Sequence, residues 1–76
     1  MDLKKQFLDK AYESASWSEI ADAPIEAIRG ISKQDGIYLK NALAITSIRD
    51  LAENKYVHIA QTIMSLALIE ELEGLK

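Results

Sequence analysis

The side chains that could do acid–base or nucleophilic chemistry are few in this sequence, and they are far apart. His58 is the only histidine, and Ser65 follows it by seven positions. On a helix seven residues span about two turns, roughly 10 Å, which is too far for a base to activate a serine nucleophile. We therefore predict that the protein is not an enzyme and that His58 lies on the surface, with a pH-sensitive contact as the alternative.

Metal and phosphate ligands form no pattern either. The chain has no cysteine, and its three glycines are scattered rather than gathered in a phosphate-binding loop. Glu70, Glu71 and Glu73 are close together, but they are most simply a solvated helix end, where acidic groups oppose the helix dipole. The sequence therefore predicts no metal and no cofactor.

One segment could hold an anion, because Ser32 in the run Arg29-Gly30-Ile31-Ser32 would begin a helix. Residues 29–55 carry five basic and three acidic side chains, an excess of +2 in a chain of net charge −3. A dedicated nucleic-acid binder usually has a stronger basic bias, so nucleic-acid binding is an alternative here. Its contact residues would be Arg29, Gly30, Ile31, Ser32, Lys33, Lys40 and Arg49.

Length and composition indicate the fold class. The chain has 76 residues, 49% of them hydrophobic, with only one Trp, three Tyr and one Phe. This size suits a single domain, and a composition rich in Ala and aliphatic residues favours helix-on-helix packing. No signal peptide and no membrane span is apparent, so we expect a cytoplasmic protein without membrane contact. Its start at methionine is what a complete small gene product would have.

The N-terminal segment, residues 1–22, is predicted to contain one long helix and one short turn. Apolar residues at three- and four-residue spacing predict a helix from Asp2 to about Ala15. Ser16 and Glu19 then match a capping box that begins a single turn. Trp17 in that turn is predicted to fill the core, with an exposed, stacking Trp as the alternative.

The middle segment, residues 24–53, is predicted to contain three short helices. Pro24 fits the first turn of a helix that runs to Arg29, and Gly30 suits the left-handed position that follows it. Ser32, with Asp35 three residues on, would cap a second helix that ends near Leu43. A further residue, Thr46, would cap the third helix.

Gly36 lies inside the second of these helices, where glycine costs about 1 kcal/mol relative to alanine. We expect the close approach of the preceding helix to compensate, with a gap for a ligand as the alternative.

The C-terminal helix is predicted from Lys55 to about Glu73. Its apolar residues, among them Ile59 and Ile63, cover a sector of roughly 200°, so we expect this helix to be central and buried. Ile69 and Leu72 lie outside that sector. They are predicted to contact another subunit or a partner, or alternatively to pack on the first helix. The proposed contact residues are Phe7, Leu8, Leu66, Ile69 and Leu72.

The Gly30 hairpin, followed by Leu39, Leu43, Ile45, Thr46, Ile48, Asp50 and Leu51, resembles the helix-hairpin-helix superfamily over about residues 24–68. The layout is similar to that of the C-terminal domain of the RNA polymerase alpha subunit. DNA-binding members typically carry Pro-Gly-apolar-Gly, whereas the run here is Arg29-Gly30-Ile31-Ser32, without the Pro and the second Gly. Other members of the superfamily bind only proteins.

Taken together, the sequence predicts an all-α bundle of about five helices, with the short helices packed on the long C-terminal helix and the N-terminal helix. The predicted function is a non-enzymatic protein–protein interaction module, which could be a homodimer. The alternatives are nucleic-acid binding through the Gly30–Ser32 hairpin and a small regulatory or adaptor subunit of a larger complex.

Overall fold

Short helices follow one another along the chain, and most of them begin at a polar side chain that accepts backbone N–H groups. The computed structural model describes residues 2–74. Its five α-helices confirm the all-α class and the long C-terminal helix. They are α1 (Leu3–Phe7), α2 (Trp17–Ala21), α3 (Lys33–Leu43), α4 (Ile48–Glu53) and α5 (Lys55–Glu73), with 3-10 turns at Lys10–Tyr12 and Ile25–Ala27.

The predicted helix from Asp2 to Ala15 is wrong, because the chain leaves helical geometry at Leu8. Leu8 is extended, with φ −121° and ψ 155°, and it forms an antiparallel bridge with Ile28. The Asp9 N–H donates to the Ala27 carbonyl at 2.9 Å, and the Arg29 N–H donates to the Phe7 carbonyl at 2.8 Å. This pairing turns the Leu8 side chain into the interior, where it is only 3% exposed.

The same bridge explains why the predicted helix from Pro24 to Arg29 is only a 3-10 turn. Ile28 is extended, with φ −72° and ψ 126°, so the turn ends at Ala27. A second bridge joins Pro24 to Ser47, and there the Ile25 N–H donates to the Thr46 carbonyl at 3.0 Å. The segment around Ile25 is thus held from both sides by non-local hydrogen bonds.

The hydrophobic core surrounds this central segment. Ile25 and Ile45 are the largest fully buried side chains, at 0% and 1% exposure. The other buried apolar residues are Leu8, Ile20, Ala23 and Ala27. Every one of them lies before α4, so the core is built without the C-terminal quarter of the chain.

The start of α3 is as predicted. Gly30 has a positive φ of 101°, and Ser32 caps α3 in a capping box with Asp35. Gly36 is buried, and a Cβ placed there would overlap the carboxyl group of Glu26 in the preceding 3-10 turn. The close approach expected at this glycine is therefore confirmed.

The cap of α4 differs by one residue from the prediction. Ser47, not Thr46, is the N-cap, because its hydroxyl accepts the Asp50 N–H. Thr46 takes part through its own hydroxyl and N–H, which both donate to the Asp50 carboxylate.

Helix α5 has the predicted bounds but not the predicted position. Asn54 caps it by accepting the N–H groups of Tyr56 and Val57 at 2.9 and 3.1 Å. None of the residues of α5 is buried, so the expectation of a central, buried helix is wrong. The molecule measures 48 × 35 × 20 Å with a radius of gyration of 15.6 Å, whereas about 11 Å is usual for a domain of this length.

Candidate protein-interaction surface

The exposed apolar side chains of α5 are one candidate site of the described chain, and at 3.6 residues per turn they are distributed around the helix. Their exposed fractions range from 47% for Leu68 to 63% for Leu72. We call this set the α5 surface: Tyr56, Ile59, Ile63, Met64, Leu66, Leu68, Ile69 and Leu72. Because α4 is the element against which α5 mainly packs, most of the length of α5 is left without an intramolecular neighbour.

Two side-chain hydroxyl groups within α5 donate hydrogen bonds to backbone carbonyls of the same helix. The Thr62 hydroxyl donates to the His58 carbonyl at 2.9 Å, and the Ser65 hydroxyl donates to the Gln61 carbonyl at 3.0 Å. A hydroxyl that is satisfied within its own helix can be covered by another protein surface at low desolvation cost. The middle of α5 is therefore suited to burial against a partner.

Charged side chains are divided between the two ends of α5. Lys55 and His58 lie in its first turn, which holds no acidic residue, whereas its last turn holds no basic residue. The acidic residues at that end are Glu70, Glu71 and Glu73. The last turn of α5 therefore carries the acidic side chains, whereas Lys55 in its first turn follows Glu53 at the end of α4.

A second apolar feature is a groove of about 460 Å³ between α1, α2 and the Leu8–Ile28 bridge. Phe7 and Trp17 form part of its wall, and they are 50% and 55% exposed. Its lining residues are Gln6, Phe7, Leu8, Trp17, Ile20, Ala21, Ile28, Arg29 and Ile48. The prediction that Trp17 fills the core is therefore wrong, since more than half of its side-chain surface faces solvent.

Lys4 contacts the exposed ring of Trp17. Its Nζ lies 5.2 Å from the centroid of the indole ring, within the range of a cation–π contact. The same Nζ donates to the Ala15 carbonyl at 2.7 Å. The α1 helix is thereby connected to the start of α2 through one side chain.

The predicted partner contact is divided between these two features. Leu66, Ile69 and Leu72 belong to the α5 surface, and Phe7 belongs to the groove. Leu8 is a correction, because at 3% exposure it forms the buried floor of the groove and is not available to a partner. The apolar sector of α5 predicts that Ile59 and Ile63 are buried. This prediction is wrong, because both lie on the α5 surface.

Two residues of the predicted anion site, Ser32 and Arg49, are hydrogen-bonded to carboxylates of the same chain. The Asp35 carboxylate accepts the Ser32 N–H at 3.0 Å, and the Ser32 hydroxyl accepts the Asp35 N–H at the same distance. This places a negative charge at the helix start where an anion was expected. Gly30 and Ile31 lie in the loop before it, and Lys33 is the first residue of α3.

The other basic residues of that predicted site are separated from one another. Arg49 pairs with Asp22, with Nε and Oδ1 2.6 Å apart, and this hydrogen bond raises the pKa of the Arg49 guanidinium above its ordinary value. Arg29 lies in the wall of the apolar groove, whereas Lys40 lies beside Glu26 in a different depression. These residues do not form one basic patch.

Metal-binding and membrane-spanning features are absent from residues 2–74. No group of three or more His, Asp or Glu side chains in this range is placed to hold a metal ion. Within the same range, no helix combines the length and the apolar content that crossing a bilayer requires.

Comparisons of the chain with models of known protein families, with curated proteins and with solved structures find no match. The resemblance to the helix-hairpin-helix superfamily thus stays a prediction. The function has to be argued from the α5 surface and the groove themselves.

Proposed function

We propose that this protein is a non-enzymatic interaction module that associates with a second copy of itself through the α5 surface. The observation that carries the proposal is a helix of 19 residues with none of them buried. A helix with apolar residues on all sides is normally buried. In this chain the core is complete without α5, so another molecule would have to cover that surface.

The exposed area of the chain supports the same proposal. The chain exposes 5964 Å², whereas a monomeric protein of this mass is expected to expose about 4,650 Å². The excess of about 1,300 Å² exceeds the roughly 800 Å² that each partner buries in an interface of standard size. Burying 800 Å² per copy through α5 would remove more than half of this excess and leave each copy with about 5,150 Å² exposed.

The experiment is a measurement of molar mass by light scattering or sedimentation at tens of micromolar. We expect the parent chain to be a dimer and Ile63→Glu to be a monomer. Ile63 is 61% exposed, so the new carboxylate does not enter the core and folding is preserved, which far-UV circular dichroism checks. Gln34→Glu adds the same charge at an exposed position of α3, outside the α5 surface, and is the matched control, which should stay dimeric.

Two results would contradict the proposal. One is a parent chain that stays monomeric up to about 100 µM, a range that covers the weak interfaces of this size class. The other is an Ile63→Glu variant with the same mass as the parent chain. In the second case the chain associates through another surface, such as the groove at Phe7 and Trp17.

A further inference from the structure

We propose that the groove between α1, α2 and the Leu8–Ile28 bridge binds a small molecule with an apolar body and a carboxylate, such as a medium-chain fatty acid. None of the residues that line this groove belongs to α5. The groove is therefore a second site, and binding there does not depend on self-association through the α5 surface.

The size and the lining of the groove are those of a small-molecule site. Its volume of about 460 Å³ lies within the roughly 300–1,000 Å³ of pockets that bind small molecules. All of its lining residues except Gln6 and Arg29 are apolar. Leu8 and Ile20, at 3% and 4% exposure, are its most deeply buried lining residues. An apolar chain placed against them leaves water, which favours binding.

Hydrogen bonds hold the walls of the groove in place. The Arg29 N–H donates to the Phe7 carbonyl at 2.8 Å, so the end of α1 is fixed beside Arg29. The Lys4 Nζ donates to the Ala15 carbonyl at 2.7 Å, which connects α1 to the segment before Trp17. Because these contacts form within the chain itself, the groove is present before a ligand binds, and little has to be ordered on binding.

Arg29 determines the charge of the ligand. It is exposed and is the only charged residue among those that line the groove. Within residues 2–74 its side chain forms no ion pair, whereas the Arg49 guanidinium is paired with Asp22. A guanidinium matches a carboxylate, to which it can donate two parallel hydrogen bonds. No acidic residue of the described chain lines the groove, so a carboxylate meets no like charge in its lining.

Trp17 gives a direct readout of binding, because it is the only tryptophan of the chain and is 55% exposed in the groove wall. A ligand that covers the indole ring removes water from it and shifts its fluorescence emission to shorter wavelengths. We would titrate the full chain at pH 7 with octanoate, and separately with 1-octanol as the uncharged probe of the same chain length. We expect a saturable shift with both probes.

Replacement of Arg29 tests the carboxylate contact. We expect Arg29→Gln to weaken octanoate binding about 2- to 5-fold, the range of an exposed ion pair, and to leave 1-octanol binding unchanged. Lys33→Gln removes the same charge from an exposed residue of α3 that does not line the groove. It is the matched control and should leave the affinity for both probes unchanged. An equal loss of octanoate affinity in the two variants would reflect the net charge alone and would overturn the assignment of a carboxylate to Arg29.

Amide chemical shifts measured by NMR during the same titrations locate the bound probe. We expect the largest changes at Phe7, Ala21 and Ile28. Changes confined to α5 would mean that the probe covers the α5 surface, which would overturn the site in the groove. The site would also be overturned by the absence of a saturable change up to about 3 mM octanoate, which would fill about three-quarters of a site with a dissociation constant of about 1 mM.

Discussion

At the scale of single residues, Asp50 is the best-connected acidic group of the described chain. Its Oδ2 accepts the Thr46 hydroxyl at 2.8 Å and the N–H groups of Thr46 and Ser47 at 3.1 and 3.2 Å. These hydrogen bonds, first of all that of the Thr46 hydroxyl, lower the pKa of Asp50 below its ordinary value. Since the pKa of Asp50 is lower in the folded than in the unfolded state, its stabilisation is present above the unfolded pKa and is lost as the pH falls through the folded pKa.

Thr46→Val tests this account of Asp50. Valine keeps the side-chain shape but removes the hydroxyl donor, so we expect the pKa of Asp50 to rise towards its ordinary value. Acid unfolding should then begin at a higher pH. NMR titration of the Asp50 carboxyl carbon measures the pKa directly. Thr62→Val, which removes a hydroxyl bonded only to the His58 carbonyl, is the control, and an equal shift of the Asp50 pKa in both variants would contradict the explanation.

Gly36 lies where α3 packs against Glu26 of the 3-10 turn at Ile25–Ala27. A Cβ at this position would overlap the carboxyl group of Glu26 and would lie 3.1 Å from its Cγ. In a helix interior, alanine is favoured over glycine by about 1 kcal/mol. The net effect of Gly36→Ala therefore depends on whether Glu26 is there to be displaced.

We expect Gly36→Ala to stabilise the chain by about 0.5–1 kcal/mol in a Glu26→Ala background and by clearly less in the parent background. Urea unfolding of the four chains of this double-mutant cycle, at one fixed protein concentration, gives the coupling free energy. Gly74→Ala has no such neighbour, because its nearest contacts are backbone carbonyls at 3.5 Å or more. Its effect should be the same in both backgrounds. A coupling free energy near zero for Gly36 would contradict the proposed contact.

At the scale of elements, local signals predicted caps and lengths well. The Ser32–Asp35 capping box, the bounds of α3 and the bounds of α5 all follow from side chains within four residues of the helix ends. The prediction of one helix over residues 2–15 is wrong, although the spacing of their apolar residues is compatible with one helix. The determining contact is the pairing of Leu8 with Ile28, which is 20 positions away and which no local pattern contains.

Leu8→Ala tests the importance of that non-local pairing. Leu8 is 3% exposed, whereas Leu3 at the start of α1 is 44% exposed. We expect Leu8→Ala to lower the free energy of unfolding by about 2–4 kcal/mol, the range for a buried leucine, and Leu3→Ala to lower it by less than about 1 kcal/mol. Urea unfolding measures both. Similar losses for the two variants would mean that the N-terminal segment is not anchored through Leu8.

The interaction surface was only partly predictable for the same reason. Sequence periodicity gave the apolar residues of α5, and it singled out Ile69 and Leu72 as partner contacts. It could not tell whether Ile59 and Ile63 meet the core of their own chain, because an interface and a core have the same local pattern. The local signal for exposure is the group Glu70, Glu71 and Glu73 at the end of α5, because unpaired carboxylates are costly to bury.

At the scale of the whole molecule, the described chain has two parts. Residues 2–53, which we call the body, contain the core, and α5 contributes no buried residue. The body contains every buried apolar side chain of the described residues, among them Leu8, Ile25 and Ile45. Most of the stability of a helix in a protein comes from tertiary packing, and α5 packs mainly against α4 alone. The order of α5 should therefore depend on association, whereas the order of the body should not.

Amide hydrogen exchange can measure this dependence. In the monomeric Ile63→Glu variant, we expect the amides of α5 beyond Ile59 to exchange at least about 10-fold faster than in the parent dimer, because they open locally. Amides of α3 should keep their rates, since α3 packs on the 3-10 turn at Ile25–Ala27. The Gln34→Glu dimer should keep the α5 exchange rates of the parent chain. If α3 and α5 lost protection together in the monomer, the body would depend on α5, and the division into an independent body and an associating helix would be wrong.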